Sequence, residues 1–221
     1  MSFMSKVMIE LETIKHKLNL YRRYPHWKKQ GAIFIHVPKV AGTSINKAIY
    51  GRTLGHYTAA EIKNKFPYLY NECFVFSFVR NPWSRVVSAY KFAKQGRTES
   101  MGVYRPEQYQ IPEFDSFERF IKEWLVLQDV NTLDYVFQPQ IRFLTDNNGE
   151  IIVDYVEKLE NLESGIITIE QHLAKTINVG RSNATSATTD SYRDYYTNQD
   201  LIDLVSDIYK NDIQTFGYEF N

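Results

Sequence analysis

The chain has 221 residues, of which 43% are hydrophobic and 15% aromatic, so it is long enough to bury the core of a single domain. Its 26 basic and 26 acidic residues give a formal net charge of zero, which argues against a general attraction to nucleic acid or to an acidic membrane. The single cysteine, Cys73, excludes a disulfide within the chain, and its apolar neighbours indicate a buried thiol.

No apolar segment approaches the roughly 20 residues that cross a bilayer. Charged residues are spread through the first 30 positions, whereas a signal peptide has an apolar centre. From these features we expect a soluble, cytoplasmic protein.

Apolar residues recur at helical spacing over residues 4–22, which predicts an N-terminal amphipathic helix. Its basic residues suggest a membrane surface, but two glutamates weaken that interpretation and favour a helix packed on the domain. The segment Tyr24-Pro25-His26-Trp27 is expected to end the helix. We therefore divide the chain into an N-terminal helical extension, residues 1–31, and a domain over residues 32–221.

A buried strand, a tight turn and a helix are predicted at residues 32–50. An apolar run typical of a strand covered on both faces leads into the segment Pro38-Lys39-Val40-Ala41-Gly42-Thr43-Ser44. A turn into a helix N-terminus binds anions, because free N–H groups and the helix dipole point into it. Gly42 allows close approach of the backbone to a ligand, and the two residues after it add hydroxyl donors. Lys39 adds a full positive charge.

His56 precedes a short predicted helix. Thr58 and Glu61 have the spacing of a capping box, so His56 lies in a loop just before that helix begins. A lone histidine is more often structural than catalytic, and from the residues alone we favour the structural role.

A second buried strand is predicted over Cys73–Val79, and Arg80 follows it directly. Pro82 suits the first position of the next helix. Because ligands of an open α/β sheet bind at the carboxyl ends of its strands, Lys39 and Arg80 indicate one ligand with two anionic ends. Ser88, two turns into the helix, is expected to face the same site. The alternative for Arg80 is an ion pair with a carboxylate.

The second half of the chain contains a long loop and several shorter elements. Residues 93–116 are polar and rich in Gly and Pro, which predicts the loop. Two interpretations stay open for its aromatic and basic side chains, an acceptor-binding wall or plain surface; these are Arg97, Tyr104, Arg105 and Tyr109. The other predicted elements are a helix over Phe114–Trp124, turns at Phe137–Gln140 and Asp146–Gly149, a strand over Ile151–Val156, a helix ending at Leu173, a loop over Arg181–Ser191 and a final helix opened by Thr197.

Strands followed by helices at short spacing predict an α/β fold with a central parallel sheet flanked by helices. The turn after the first strand resembles a phosphate-binding loop. Magnesium-dependent kinases and nucleotide hydrolases, however, place Lys and Ser or Thr directly after the last Gly, whereas Lys39 precedes Gly42. Asp154 is only a weak candidate for the acidic strand end that holds magnesium. The pattern favours anion binding by lysine, with no metal expected.

Two segments resemble those of a known family. The segment His36–Ser44 is similar to the 5′-phosphosulfate loop, and Phe78–Tyr90 to the 3′-phosphate segment, of the sulfotransferases that use 3′-phosphoadenosine 5′-phosphosulfate (PAPS). The carbohydrate branch, which includes the glycosaminoglycan 2-O-sulfotransferases, is the most similar. The resemblance runs from about Ala32 to the C-terminus, and it implies a P-loop-like sulfotransferase fold with PAPS as co-substrate.

The resemblance also implies residue roles. Lys39 would stabilise the leaving phosphate, and His56 takes the place of the catalytic base of the 2-O-sulfotransferases. The residues implied to bind PAPS are Pro38, Lys39, Val40, Ala41, Gly42, Thr43, Ser44, Arg80 and Ser88, with Arg181 to Asn183 closing over the adenine.

The implied activity is in-line sulfuryl transfer from PAPS to a hydroxyl acceptor, in the first place a carbohydrate. A noncatalytic nucleotide- or glycan-binding module on the same fold is the alternative, and a kinase is the third. No nucleic-acid partner is expected.

Overall fold

The computed structural model describes residues 3–96, 102–179 and 191–221. Its described part contains a three-stranded parallel sheet with the strand order β1-β2-β3, formed by Ala32–Ile35, Phe74–Val79 and Tyr155–Lys158. Helices connect and flank the strands, so the predicted α/β class with a central parallel sheet is confirmed.

Along the chain, the α-helices precede, connect and follow these strands. They are α1 (Phe3–Gln30), α2 (Gly42–Tyr50), α3 (Ala59–Lys65), α4 (Pro67–Glu72), α5 (Pro82–Gln95), α6 (Phe117–Arg119), α7 (Ile141–Leu144), α8 (Leu162–Leu173), α9 (Gln199–Ile208) and α10 (Lys210–Phe216). A π-helical turn over Phe120–Trp124 continues α6, and short 3₁₀ turns lie at Pro106–Tyr109, Pro112–Phe114, Leu125–Leu127, Leu159–Asn161 and Tyr192–Tyr195. Among the described residues, no helix is both long and apolar enough to cross a membrane.

The first two strands form the buried centre of the fold. Every residue of β1 is buried, as is every residue of β2 after Phe74, because a parallel sheet is covered by helices on both faces. Ile35 lies opposite Ser77 in the parallel register. The turn after β1 and the turn after β2 therefore leave the same edge of the sheet.

The N-terminal helix is longer than its sequence predicts. Tyr24-Pro25-His26-Trp27 does not end it; α1 continues through Pro25 to Gln30, and Gly31 follows with φ 62°. A proline inside a helix costs about 3 kcal/mol, whereas burial of a large side chain contributes roughly 1.5–3 kcal/mol. Trp27 is only 1% exposed and packs in the core, so tertiary contact offsets the local penalty. The division of the chain at residue 31 stays a prediction.

The third strand is later and shorter than expected. Ile151 forms an isolated antiparallel bridge to Thr145 and is 42% exposed. The carboxylate of Asp154 accepts the N–H of Val75 at 2.7 Å, and the Asp154 N–H donates to the Val75 carbonyl at 2.8 Å. Regular pairing with β2 begins only after this contact, at Tyr155.

Local helix signals give mixed results near the termini of the other helices. The capping box at Thr58 and Glu61 is confirmed, with both reciprocal hydrogen bonds present. Pro82 is the first residue of α5, as predicted. At the last predicted helix the cap is Asn198, whose side chain accepts the Leu201 N–H, so the prediction of Thr197 was wrong by one residue.

Part of the polar segment 93–116 is buried in the hydrophobic core. Tyr109 is 2% exposed and packs in an aromatic cluster against Phe114, Trp124 and Phe137. It therefore forms no part of an acceptor wall. Tyr104 is 52% exposed, and the Arg105 guanidinium lies over its ring at 5.0 Å. The predictions for Arg97 and for Arg181–Asn183 lie outside the described residues.

Candidate active site

The two predicted anion-binding turns meet at the carboxyl edge of the sheet. Arg80, at the end of β2, donates through Nη1 to the carbonyl oxygen of Lys39, in the turn after β1, at 3.3 Å. This contact follows from the parallel register, which aligns the two strand ends. The Arg80 guanidinium and the Lys39 backbone are therefore in contact, whereas the binding of one ligand by both cations stays a prediction.

The turn between β1 and α2 presents a row of free backbone donors. Lys39 and Ala41 have φ values of 72° and 58°. These values lie in the left-handed region, which residues other than glycine rarely adopt. Within the described residues, the N–H groups of residues 39–43 donate no hydrogen bond, and α2 has no side-chain cap. Unpaired donors at a helix N-terminus form an anion cradle.

The side chains of this turn serve different purposes. Val40 is fully buried in the core, so only its backbone is available to a ligand, whereas Thr43 is half-buried. Gly42 is required by packing: a Cβ there would lie 1.9 Å from Cδ2 of His36. The absence of a side chain at Gly42 thus makes room for the His36 ring.

Lys39 is a half-buried cation. Its Nζ lies over the ring of Phe92, 4.0 Å from the centroid. Burial, helped by the nearby charges of Arg80 and Arg85, lowers the pKa of Lys39 to about 8. It is therefore mainly protonated at pH 7, although its charge is poorly solvated.

Arg80 is held firmly without an ion pair. Its Nε and Nη2 donate to Oγ of Ser84 at 3.0 and 2.8 Å, and no described carboxylate forms a salt bridge with it. The alternative of a structural ion pair is therefore not observed. The amide of Gln140 brackets the Arg80 backbone by accepting its N–H and donating to its carbonyl. Ser88 lies one helical turn beyond Ser84 and is half-buried, on the same face of α5.

His56 lies at this same edge of the sheet. Its Nδ1 donates to the carbonyl oxygen of His36 at 2.8 Å, which assigns the proton to Nδ1 and leaves Nε2 with its lone pair. The two imidazole rings are packed with their centroids 4.1 Å apart. Burial lowers the pKa of His56 below its usual value of 6.5, against the opposing effects of the His36 carbonyl and Asp134. The ring is accordingly neutral at pH 7.

Sequence reasoning missed the buried polar residues that support the site. Arg85 is 1% exposed and donates to three backbone carbonyls, one of them in the anion-binding turn. Asp212 is fully buried and accepts the N–H groups of Gln140 and Ile141. Such long-range contacts leave no local pattern, although the placement of Arg85 among apolar helix residues hinted at burial.

Asp154 lies at the opposite edge of the sheet from Lys39, where its carboxylate is engaged with the start of β2. Across the described part of the chain, no group of three or more His, Cys, Asp or Glu side chains is arranged to hold a metal ion. Cys73 is a free thiol and is buried, as predicted.

Comparison with known proteins identifies the family. The model of the Sulfotransferase family matches residues 26–219, which is most of the chain and includes both anion-binding segments. No curated protein and no solved structure matches this sequence. The chain therefore belongs to the sulfotransferase family and is a sulfotransferase, an enzyme that transfers a sulfuryl group.

Proposed function

We propose that this enzyme transfers the sulfuryl group of PAPS to the hydroxyl group of a carbohydrate. The observation that carries the proposal is the contact of the two strand ends, in which Arg80 donates to the carbonyl of Lys39. PAPS is a nucleotide with phosphate-type groups at its 5′ and 3′ positions, so it requires two anion sites on one surface.

The two ends of the donor would be held by different elements. The free N–H groups of residues 39–43 and the Thr43 hydroxyl suit the 5′-phosphosulfate, because they are unpaired donors at the start of α2. Arg80 and Ser88 suit the 3′-phosphate. The guanidinium is already oriented by Ser84, so little rotamer entropy is lost when an anion binds.

Lys39 would act on the leaving group. In sulfuryl transfer the acceptor oxygen forms a bond to sulfur while the bond from sulfur to the bridging phosphate oxygen breaks, and negative charge develops on that phosphate. A protonated lysine on a preorganised turn stabilises such charge most strongly where water is excluded. The half-buried position of Lys39 meets that requirement.

His56 would be the base that removes the acceptor proton. Its Nδ1–H donates to the His36 carbonyl, and the basic Nε2 forms no hydrogen bond within the part of the chain that the structure describes. The lowered pKa keeps the ring unprotonated at neutral pH. General-base catalysis of this kind contributes roughly 10²- to 10⁴-fold to the rate.

The carbohydrate acceptor is inferred from the similarity of the two anion-binding segments to the carbohydrate branch. An aromatic side chain beside the proposed base agrees with it: Tyr135 is 41% exposed, and its ring centroid lies 6.4 Å from that of His56. Exposed aromatic faces provide apolar contact area for a sugar ring.

Nucleotide binding tests the two-ended site. Isothermal titration calorimetry with adenosine 3′,5′-bisphosphate and with adenosine 5′-monophosphate measures the preference for the 3′-phosphate. We expect the unmutated protein to prefer the bisphosphate and Arg80→Gln to lose that preference. An unchanged preference in Arg80→Gln would show that the arginine is misassigned.

Turnover tests the base. With labelled PAPS and a panel of glycans, His56→Asn should lose roughly 10²- to 10⁴-fold in kcat while its affinity for adenosine 3′,5′-bisphosphate stays the same. The variant His26→Asn, at a half-buried histidine of α1, is the matched control and should keep full activity. Tight nucleotide binding by the unmutated protein without transfer to any hydroxyl acceptor would favour the noncatalytic binding module instead.

A further inference from the structure

Arg85 is a buried cation that the proposed chemistry does not use. Its side chain is 1% exposed. Nε donates to the carbonyl oxygen of Pro38 at 3.1 Å, and Nη2 donates to the carbonyls of Gln138 at 2.8 Å and Tyr135 at 3.5 Å.

No carboxylate in the described ranges neutralises this charge directly. Among the described residues Arg85 forms no salt bridge. The nearby Asp212 uses its two oxygens for the N–H groups of Gln140 and Ile141. A buried charge is costly unless it is paired, and burial lowers the pKa of Arg85 accordingly. An ion pair therefore does not explain why an arginine occupies this position.

The contacts of Arg85 explain the shape of the anion-binding turn. Arg85 holds the carbonyl of Pro38, and Arg80 holds the next carbonyl, that of Lys39. Both peptide bonds are trans, and in a trans peptide the N–H points opposite to the C=O. The N–H groups of Lys39 and Val40 are therefore directed away from the two guanidinium groups, and both lack a partner among the described residues.

We propose that Arg85 is a positioning residue, which holds the Lys39 turn open for an anion and ties it to the segment that carries Tyr135. Its guanidinium bridges the carbonyl of Pro38 and the carbonyls of residues 135 and 138. Tyr135 in turn lies beside His56. One buried side chain thus connects the donor side of the site to the acceptor side. This inference rests on the proposed function for the identity of the anion.

The charge of Arg85 has a second effect that can be separated from its hydrogen bonds. Together with burial and Arg80, it lowers the pKa of Lys39. Arg85→Lys keeps a positive charge but loses the bridging geometry of the guanidinium, and Arg85→Gln loses the charge. The two variants therefore distinguish geometry from charge.

The test is the affinity for adenosine 3′,5′-bisphosphate, measured by calorimetry from pH 6.5 to 10. Both variants should bind roughly 10- to 100-fold more weakly at pH 7, the effect expected for loss of hydrogen bonds from a charged group. In the unmutated protein and in Arg85→Lys, affinity should fall as the pH passes about 8, where Lys39 loses its proton. In Arg85→Gln this fall should move to higher pH.

Arg142→Gln is the matched control. Arg142 also donates to a backbone carbonyl, that of Asn131 at 3.0 Å, but it is exposed and the carbonyl that it holds is not in the anion-binding turn. Its variant should bind the nucleotide as the unmutated protein does. Unchanged affinity in Arg85→Lys and Arg85→Gln, or equal losses in Arg142→Gln, would overturn the positioning role.

A measurement on the unmutated protein covers the case in which neither Arg85 variant folds. Hydrogen exchange at the amides of Lys39 and Val40 should slow when adenosine 3′,5′-bisphosphate binds, and unchanged exchange would overturn the proposal. If the unmutated protein does not bind this nucleotide, the proposed function fails. The role of Arg85 is then decided with inorganic phosphate, whose binding should still slow exchange at these two amides; absence of slowing would refute it.

Discussion

Burial of the protonated Lys39 side chain should lower the free energy of unfolding, although the proposed activity requires this lysine. Its pKa falls from 10.5 in the unfolded chain to about 8 in the folded protein. Each tenfold change in proton affinity corresponds to about 1.4 kcal/mol, so the folded state is penalised by about 3 kcal/mol when the lysine is protonated. The contact with Phe92 returns about 1 kcal/mol. Lys39→Met should therefore stabilise the fold by about 2 kcal/mol at pH 7.

The stability difference between Lys39→Met and the unmutated protein should depend on pH. Below pH 8 the lysine is protonated in both states and the penalty is complete. Between about pH 8 and 10.5 the folded protein releases a proton that the unfolded chain keeps, so stability rises with pH and the difference from the variant disappears. The gain from Lys39→Met should accordingly be largest at pH 7 and small at pH 10.

Thermal unfolding followed by circular dichroism measures the effect. A gain of about 2 kcal/mol corresponds to a rise in Tm of about 4–8 °C in a domain of this size. Lys47→Met is the matched control, because Lys47 is exposed on α2, and it should change stability by less than about 0.5 kcal/mol. A Tm for Lys39→Met at or below that of the unmutated protein would refute the reasoning.

Three further predictions follow from the site and the core. The profile of kcat/KM against pH should be bell-shaped, rising as His56 loses its proton below pH 6.5 and falling near pH 8 as Lys39 loses its own; a rate that still rises at pH 9 would contradict it. Gly42→Ala should cost about 1–3 kcal/mol in denaturant unfolding and weaken nucleotide binding, because its Cβ meets the His36 ring at 1.9 Å. Gly165→Ala, whose Cβ would lie 2.7 Å from the Phe78 ring, should cost about as much but leave calorimetric nucleotide affinity intact.

The central part of the site could be predicted because its signals are local. An apolar run followed by Lys39, Gly42 and a helix start specifies a strand, a turn and a helix N-terminus within a short stretch of chain. Arg80 and Pro82 provide the same kind of signal after β2. The parallel sheet then follows from the alternation of strands and helices, and with it the meeting of the two strand ends.

The features that escaped prediction depend on contacts between distant segments. Pro25 predicts the end of a helix, but α1 continues to Gln30 because burial of Trp27 offsets the cost of the proline. The apolar run that ends at Asp154 predicts a strand, but the Asp154 carboxylate contacts β2 and regular strand pairing begins only at Tyr155. Arg85 bonds to carbonyls 47, 50 and 53 positions away in sequence, and no local pattern encodes these distances.

Sulfuryl transfer by the unmutated protein and by Lys39→Met tests the central claim most directly. Both proteins are incubated with labelled PAPS and a panel of glycans, and labelled product is counted. We expect the unmutated protein to label at least one glycan and Lys39→Met, although folded and more stable, to label none at a measurable rate. Equal labelling by the two proteins would contradict the role of Lys39 at the leaving phosphate.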